Sequence, residues 1–125
     1  MNDALLRLAL IAISAITIIS GAAQLAAPKF VLDMIAADQS AAAQHHFATV
    51  GMFMVVTGAM LFQTLVRRSP DPTVPLWIGV QKLAAAALVG WGYSKGLFPP
   101  VALGVAGFDL ISGVLAWIYL SRRGQ

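Results

Sequence analysis

The chain has 125 residues, 59% of them hydrophobic, with eight basic and five acidic side chains for a net charge of +3, and its mean hydropathy is +0.82. A soluble domain of this length has too little interior to hide so much apolar surface, so the surrounding medium must be lipid and residues 1–125 form one integral-membrane domain. Neither Cys nor Glu occurs, which excludes thiolate metal sites, disulfide exchange and the carboxylate-rich di-iron bundles.

The first predicted span is Leu5–Ala27, broken only by Arg7 near its start and long enough to cross about 30 Å of hydrocarbon. It reads as an uncleaved helix. Its apolar run exceeds that of a signal peptide and Asp3 accompanies Arg7 in the flanking region, although Ala22-Ala23 and Ala26-Ala27 imitate a cleavage site. The following connection, Pro28–His46, is the longest. Phe30, Val31, Met34 and Ile35 recur there at helical spacing, interrupted by Asp33, Asp38 and Gln39. A short helix at the membrane interface and an ordinary solvated loop both fit this stretch. Asp38 is expected to cap a second helix extended through Ser40–Gln44.

Phe47–Val66 is the second span and carries no charge. Arg67, Arg68, Pro70, Asp71, Pro72 and Pro75 punctuate the chain before the third span, Leu76–Ser94, which is interrupted by Gln81 and Lys82. Pro99 and Pro100 precede the fourth, Pro100–Leu120, interrupted by Asp109. Backbone polar groups in lipid must be satisfied within their own segment, so each span is predicted to be helical. The expected fold is all-α, a bundle of four transmembrane helices with a short interfacial helix in the first outer loop. No repeat relates the two halves, so an inverted-repeat transporter has no support.

Basic residues set the orientation. With the N-terminus inside, Arg7, Arg67, Arg68, Arg122 and Arg123 lie on the cytoplasmic side and only Lys29 and Lys95 outside, the asymmetry of the positive-inside rule. Both termini are therefore expected in the cytoplasm, across a bacterial-type inner membrane. Trp77, Trp117 and Tyr119 mark one interface, Trp91 and Tyr93 the other. The same charges, neither interleaved with aromatics on one face nor gathered in a tail, leave no footprint for nucleic acid.

Each span carries one stripe of small or polar residues, the kind through which helices associate in lipid. The stripes are Ser14, Thr17, Gly21 and Gln24; Gly51 and Gly58; Gly79, Lys82, Ala86 and Gly90, continued by Tyr93; and Ala102, Ala106, Asp109, Gly113 and Ala116. Lys82 and Asp109 stand out, because a charge near the centre of a span costs about 2.5–3.5 kcal/mol on insertion scales. Their depths differ by roughly 7 Å at the helical rise per residue, within reach of an extended lysine. They read first as a structural ion pair joining antiparallel helices. The sharper reading is a proton-accepting or ligand-binding site, with Gln24, Gln63 and Tyr93 as further polar candidates. A third alternative has Lys82 snorkelling to the inner interface and leaving Asp109 alone.

His45 and His46 point about 100° apart on a helix, so they cannot bind one metal as an i,i+4 pair would, and no other His or Cys exists to complete a site. They read as interfacial anchors, or as a single axial ligand to haem or chlorin or a polar contact to a quinone. Met52, Met54 and Met60 read as packing residues. Gly90, Gly92 and Gly96 end a helix and do not form a dinucleotide fingerprint, and no serine sits in a nucleophile elbow.

The stretch Gly21-Ala-Ala-Gln-Leu25-Ala-Ala-Pro28-Lys-Phe30, closing a first span and leading to an outer interfacial segment, resembles that of small DoxX-like four-helix membrane proteins, as do four spans of matching length. The resemblance implies a hydrophobic subunit of a respiratory complex or a protein of unassigned role, and transfers no catalytic residue. The first expectation is thus a non-catalytic inner-membrane subunit that packs or stabilises a larger, bioenergetic complex, with lipids and other membrane subunits as partners. The alternative is a bundle binding or transporting a proton, quinone, lipid or other small apolar ligand through the Lys82/Asp109 region. No enzyme activity, metal or obligatory cofactor is expected; quinone, haem or pigment would meet His45, His46, Gln24 or Tyr93.

Overall fold

A computed structural model describes residues 2–35 and 40–123. Five helices follow one another: α1 (Asp3–Ala26), α2 (Pro28–Ile35), α3 (Ala41–Val66), α4 (Thr73–Ser94) and α5 (Val101–Arg123). All but α2 are long and apolar enough to cross a membrane, and the protein is a multi-pass membrane protein built as a four-helix bundle.

The helix ends follow from local chemistry. Asn2 caps α1, its side chain accepting the Leu5 N–H at 2.7 Å. Pro28 opens α2 directly after Ala27, at a first-turn position where its missing N–H is not needed. Phe30 and Met34 of α2 face outward while Leu32 is buried. The cap of α3 is Ser40, whose Oγ accepts from the Ala43 amide at 3.1 Å; Asp38, expected in that role, lies outside the described residues. At the start of α4, Asp71 accepts the Thr73 backbone N–H at 2.9 Å and its hydroxyl at 2.7 Å. Those two bonds, the hydroxyl's first, lower the Asp71 pKa below its ordinary value. Pro75 still falls within the first turn, where proline is tolerated.

α3 and α4 end in the same way. After α4, Gly96 takes a left-handed φ of 76°, with Gly96 N–H donating to Tyr93 O and Leu97 N–H to Gly92 O. After α3, Arg68 takes φ 53°, with Arg68 N–H donating to Leu65 O and Ser69 N–H to Thr64 O. Both are Schellman closures, a geometry that favours glycine at the left-handed position. An L-residue with a Cβ gives up about 1 kcal/mol there.

The four spans assemble as two intimate pairs, α1 with α3 and α4 with α5, which meet mainly along α1 and α5. Glycines make the pairs close. A Cβ on Gly21 would lie 2.7 Å from Gly51 O, and one on Gly51 2.7 Å from Gly21 O, so the two backbones touch at this crossing. Gly58 sits against Ile18 and the Ser14 carbonyl, Gly79 beneath the Trp117 indole, and Gly113 against Leu83. Gly21 of α1 and the Gly51/Gly58 stripe of α3 are therefore spent on the α1–α3 contact. Gly113 and Ala102 are buried within the bundle as well.

Between the pairs, the apolar core is one cluster of Leu6, Leu10, Leu61, Leu65, Ile78, Ala116 and Tyr119. Every member comes from the half of its helix nearest the α1 start and α5 end. In the other half, Gly90, Gly104 and Gly107 have nothing within 4 Å of where a Cβ would stand. The two pairs are packed together at one end and less closely covered at the other.

Candidate functional site

Lys82 marks the upper limit of the shared core. It lies nine residues into α4, about 14 Å from the helix start, while Thr17 on α1 and Asp109 on α5 lie about 21 Å from the same end. The lysine stem spans the difference by reaching toward the middle of the bundle. Its Nζ donates to Thr17 Oγ1 at 3.0 Å and to Asp109 Oδ1 at 3.2 Å. The Lys82 side chain is 6% exposed and that of Asp109 14%, so Lys82 does not snorkel. The ammonium also stands 5.3 Å from the centroid of the Phe108 ring, a cation–π distance.

One charged group thus links three helices, α1, α4 and α5. Thr17 serves in both directions: its hydroxyl proton goes to Ile13 O at 2.9 Å and its oxygen receives the lysine. Asp109 is used less completely. Its Oδ1 takes the lysine bond, and among the described residues its second oxygen has no hydrogen-bond partner. Chemically the arrangement neutralises two charges in lipid and leaves one carboxylate oxygen able to accept from a further donor.

The other candidates are dispersed. Gln24 is buried, and its Nε2 donates to Phe47 O at 2.9 Å, which ties α1 to α3 near their glycine crossing. His45 and His46 are exposed on the second turn of α3. Tyr93 is half-buried near the far end of α4, and Gln63 is exposed on α3. None of these belongs to the Lys82 cluster. No three His, Cys, Asp or Glu side chains among the described residues are grouped to hold a metal ion.

Sequence reasoning missed two things. Thr17 was visible only as a member of a polar stripe, and nothing in its position along the chain singles it out over Ser14 as the third partner. The arginines registered as topology signals, yet they also build contacts. Arg7 Nε donates to Leu65 O at 2.8 Å, covering the open carbonyls at the α3 C-terminus, and Arg122 Nη1 pairs with Asp3 Oδ1 at 3.0 Å. At the opposite end Lys95 Nζ stands 4.0 Å from the Trp91 ring centroid. Two open clefts lie at the ends of the bundle, one beside α2 and one between Arg7, Arg68 and Arg122, and neither includes Lys82 or Asp109. Comparison with protein-family models, with curated proteins and with solved structures finds no match to this chain.

Proposed function

We propose that this protein is a small non-catalytic subunit of a larger membrane complex, of the bioenergetic kind found in a bacterial-type inner membrane, which it packs against and stabilises. The observation that carries the reading is how its interior polar groups are spent. Lys82 links α4 to α1 and α5, and Gln24 links α1 to α3. Groups used to join helices suit a packing role. Uncovered small residues at Gly90, Gly104 and Gly107 suit close approach by a helix of another chain. The likeness of Gly21–Phe30 to DoxX-like proteins points the same way. Five arginines at one end against Lys29 and Lys95 at the other support cytoplasmic termini; reporter fusions after Gln125 and within residues 69–75 should then both read cytoplasmic.

Gentle detergent extraction followed by native mass spectrometry tests the function. Recovery with other chains in a fixed ratio supports it. A second reading, a bundle that binds or moves a proton or small apolar ligand, is favoured by the unpartnered oxygen of Asp109 and its residual exposure. A lone chain retaining one small molecule, released by Asp109→Leu, would establish that reading instead.

A further inference from the structure

Arg7, Arg68 and Arg122 reach one place from three separate parts of the chain. With Asp3, Leu6 and Tyr119 they line an open cleft of about 290 Å³ at the end of the bundle where α1 begins and α5 ends. Asp3 is already engaged with Arg122, so three positive charges face one negative. Arg7 gives its Nε to Leu65 O and its Nη2 lies 3.5 Å from Val66 O, which leaves further guanidinium N–H donors over.

Arg68 carries the stronger hint. It occupies the left-handed position of a Schellman closure, with φ 53°, where the same closure after α4 uses Gly96. Packing does not explain the choice, because Arg68 is exposed. A residue held in a conformation it disfavours, without a packing reason, points to a use for its side chain. The cleft supplies one.

We propose that this cleft binds the phosphate of an anionic phospholipid. Guanidinium groups match phosphate oxygens through paired N–H donors, and basic pockets among transmembrane helices are suited to acidic head groups. The cleft lies at the ends of the spans, where head groups lie. Leu5 and Leu8, flanking Leu6 and Arg7, are each 56% exposed and offer apolar surface along which acyl chains run. A free phosphate ion would use the arginines but none of that surface.

The test uses the full chain, delipidated in detergent and titrated with phosphatidylglycerol or phosphatidylcholine under native mass spectrometry, with inorganic phosphate as a separate arm. One phosphatidylglycerol should be retained in preference to phosphatidylcholine. Arg68→Gly should weaken that retention about fivefold while holding or raising the lipid-free thermal midpoint, since it relieves the left-handed arginine. Arg122→Gln should weaken retention by a similar factor. Arg67→Gln, an exposed neighbour outside the cleft with the same loss of charge, should leave retention unchanged. Equal effects of Arg67→Gln and Arg68→Gly would reduce the site to general surface charge and overturn it. Equal retention of the two lipids would do the same, and displacement by inorganic phosphate at matching concentration would overturn the lipid assignment.

Discussion

Replacing Lys82 by Met should destabilise the bundle more than replacing Lys82 and Asp109 together. Lys82→Met removes the bonds at 3.0 and 3.2 Å and strands a carboxylate that is only 14% exposed. Breaking a buried pair from one side costs about 3–5 kcal/mol, and the residual exposure of Asp109 places the expected loss near the lower bound. Asp109→Leu should cost less, about 2 kcal/mol, because the ammonium keeps Thr17 and the Phe108 ring, the latter a contact of roughly 0.5–2 kcal/mol. The stranded lysine can also bend back toward the near interface. Lys82→Met combined with Asp109→Leu leaves no charge behind and should lose about 1 kcal/mol, a coupling of several kcal/mol between the sites. Thr17→Val, which removes a single interhelical bond, should cost about 0.6 kcal/mol, a typical value in membranes. Reversible unfolding in mixed micelles with rising denaturing surfactant, followed by helicity, measures all four. Additivity within about 0.5 kcal/mol, or Asp109→Leu proving the costlier single change, would refute the reasoning.

Gly21→Ala places a Cβ 2.7 Å from the Gly51 carbonyl; backbone cannot yield cheaply, so a loss of about 1–3 kcal/mol is expected. Gly104→Ala meets open space and should stay within about 0.5 kcal/mol of wild type; equal losses in the same unfolding assay would remove the close crossing from the account. Asp71, whose pKa is lowered by its bonds to Thr73, stabilises the start of α4 only while ionised. Its contribution should be complete above the ordinary carboxylate range and disappear as pH falls through the lowered value. Hydrogen exchange at Thr73 should therefore quicken on acidification, corrected for intrinsic rates, and Asp71→Asn should abolish that response. Loosening on raising pH instead would contradict the bond's role.

The spans were legible in the sequence because lipid imposes a simple rule: long apolar runs must be helices, and proline-rich stretches must separate them. The extension of α3 back to Ala41 was legible as well, from the polar Ser40–Gln44 stretch, with Ser40 as its cap. The start of α4 at Thr73 was not, because the bonds from Thr73 to Asp71 lie in polar, proline-rich sequence that hydropathy does not register. The stripes were legible too: Ser14, Thr17, Gly21 and Gln24 are all buried. Which stripe meets which was not. Gly51 could equally have met α4 or another chain, and only backbone distances assign it to Gly21. The arginine cleft was invisible for a related reason. Arg7, Arg68 and Arg122 share no local spacing, and the connectivity of the bundle alone brings them together.

The uneven packing of the two pairs makes the last prediction geometric. Leucine gains little by leaving lipid for another leucine, so the cluster around Leu10 and Leu65 holds the pairs by shape at one end and exerts little control at the other. Beyond it, among the described residues, the Lys82 cluster is the polar tie that crosses between them, from α4 to α1 at Thr17. Removing both charges should then leave each pair intact while letting the pairs vary in angle. The chain has no cysteine, so spin labels can be placed without background. Labels at Ala42→Cys and Ser94→Cys, both exposed on the less covered end, report the angle between pairs; Ala23→Cys and Val50→Cys report the α1–α3 crossing. In the combined Lys82→Met and Asp109→Leu protein, the first distance distribution should broaden and the second should not. If both stay as narrow as in wild type, the Lys82–Asp109 pair does not set the angle, and the apolar cluster with the Arg122–Asp3 pair at its end fixes the bundle.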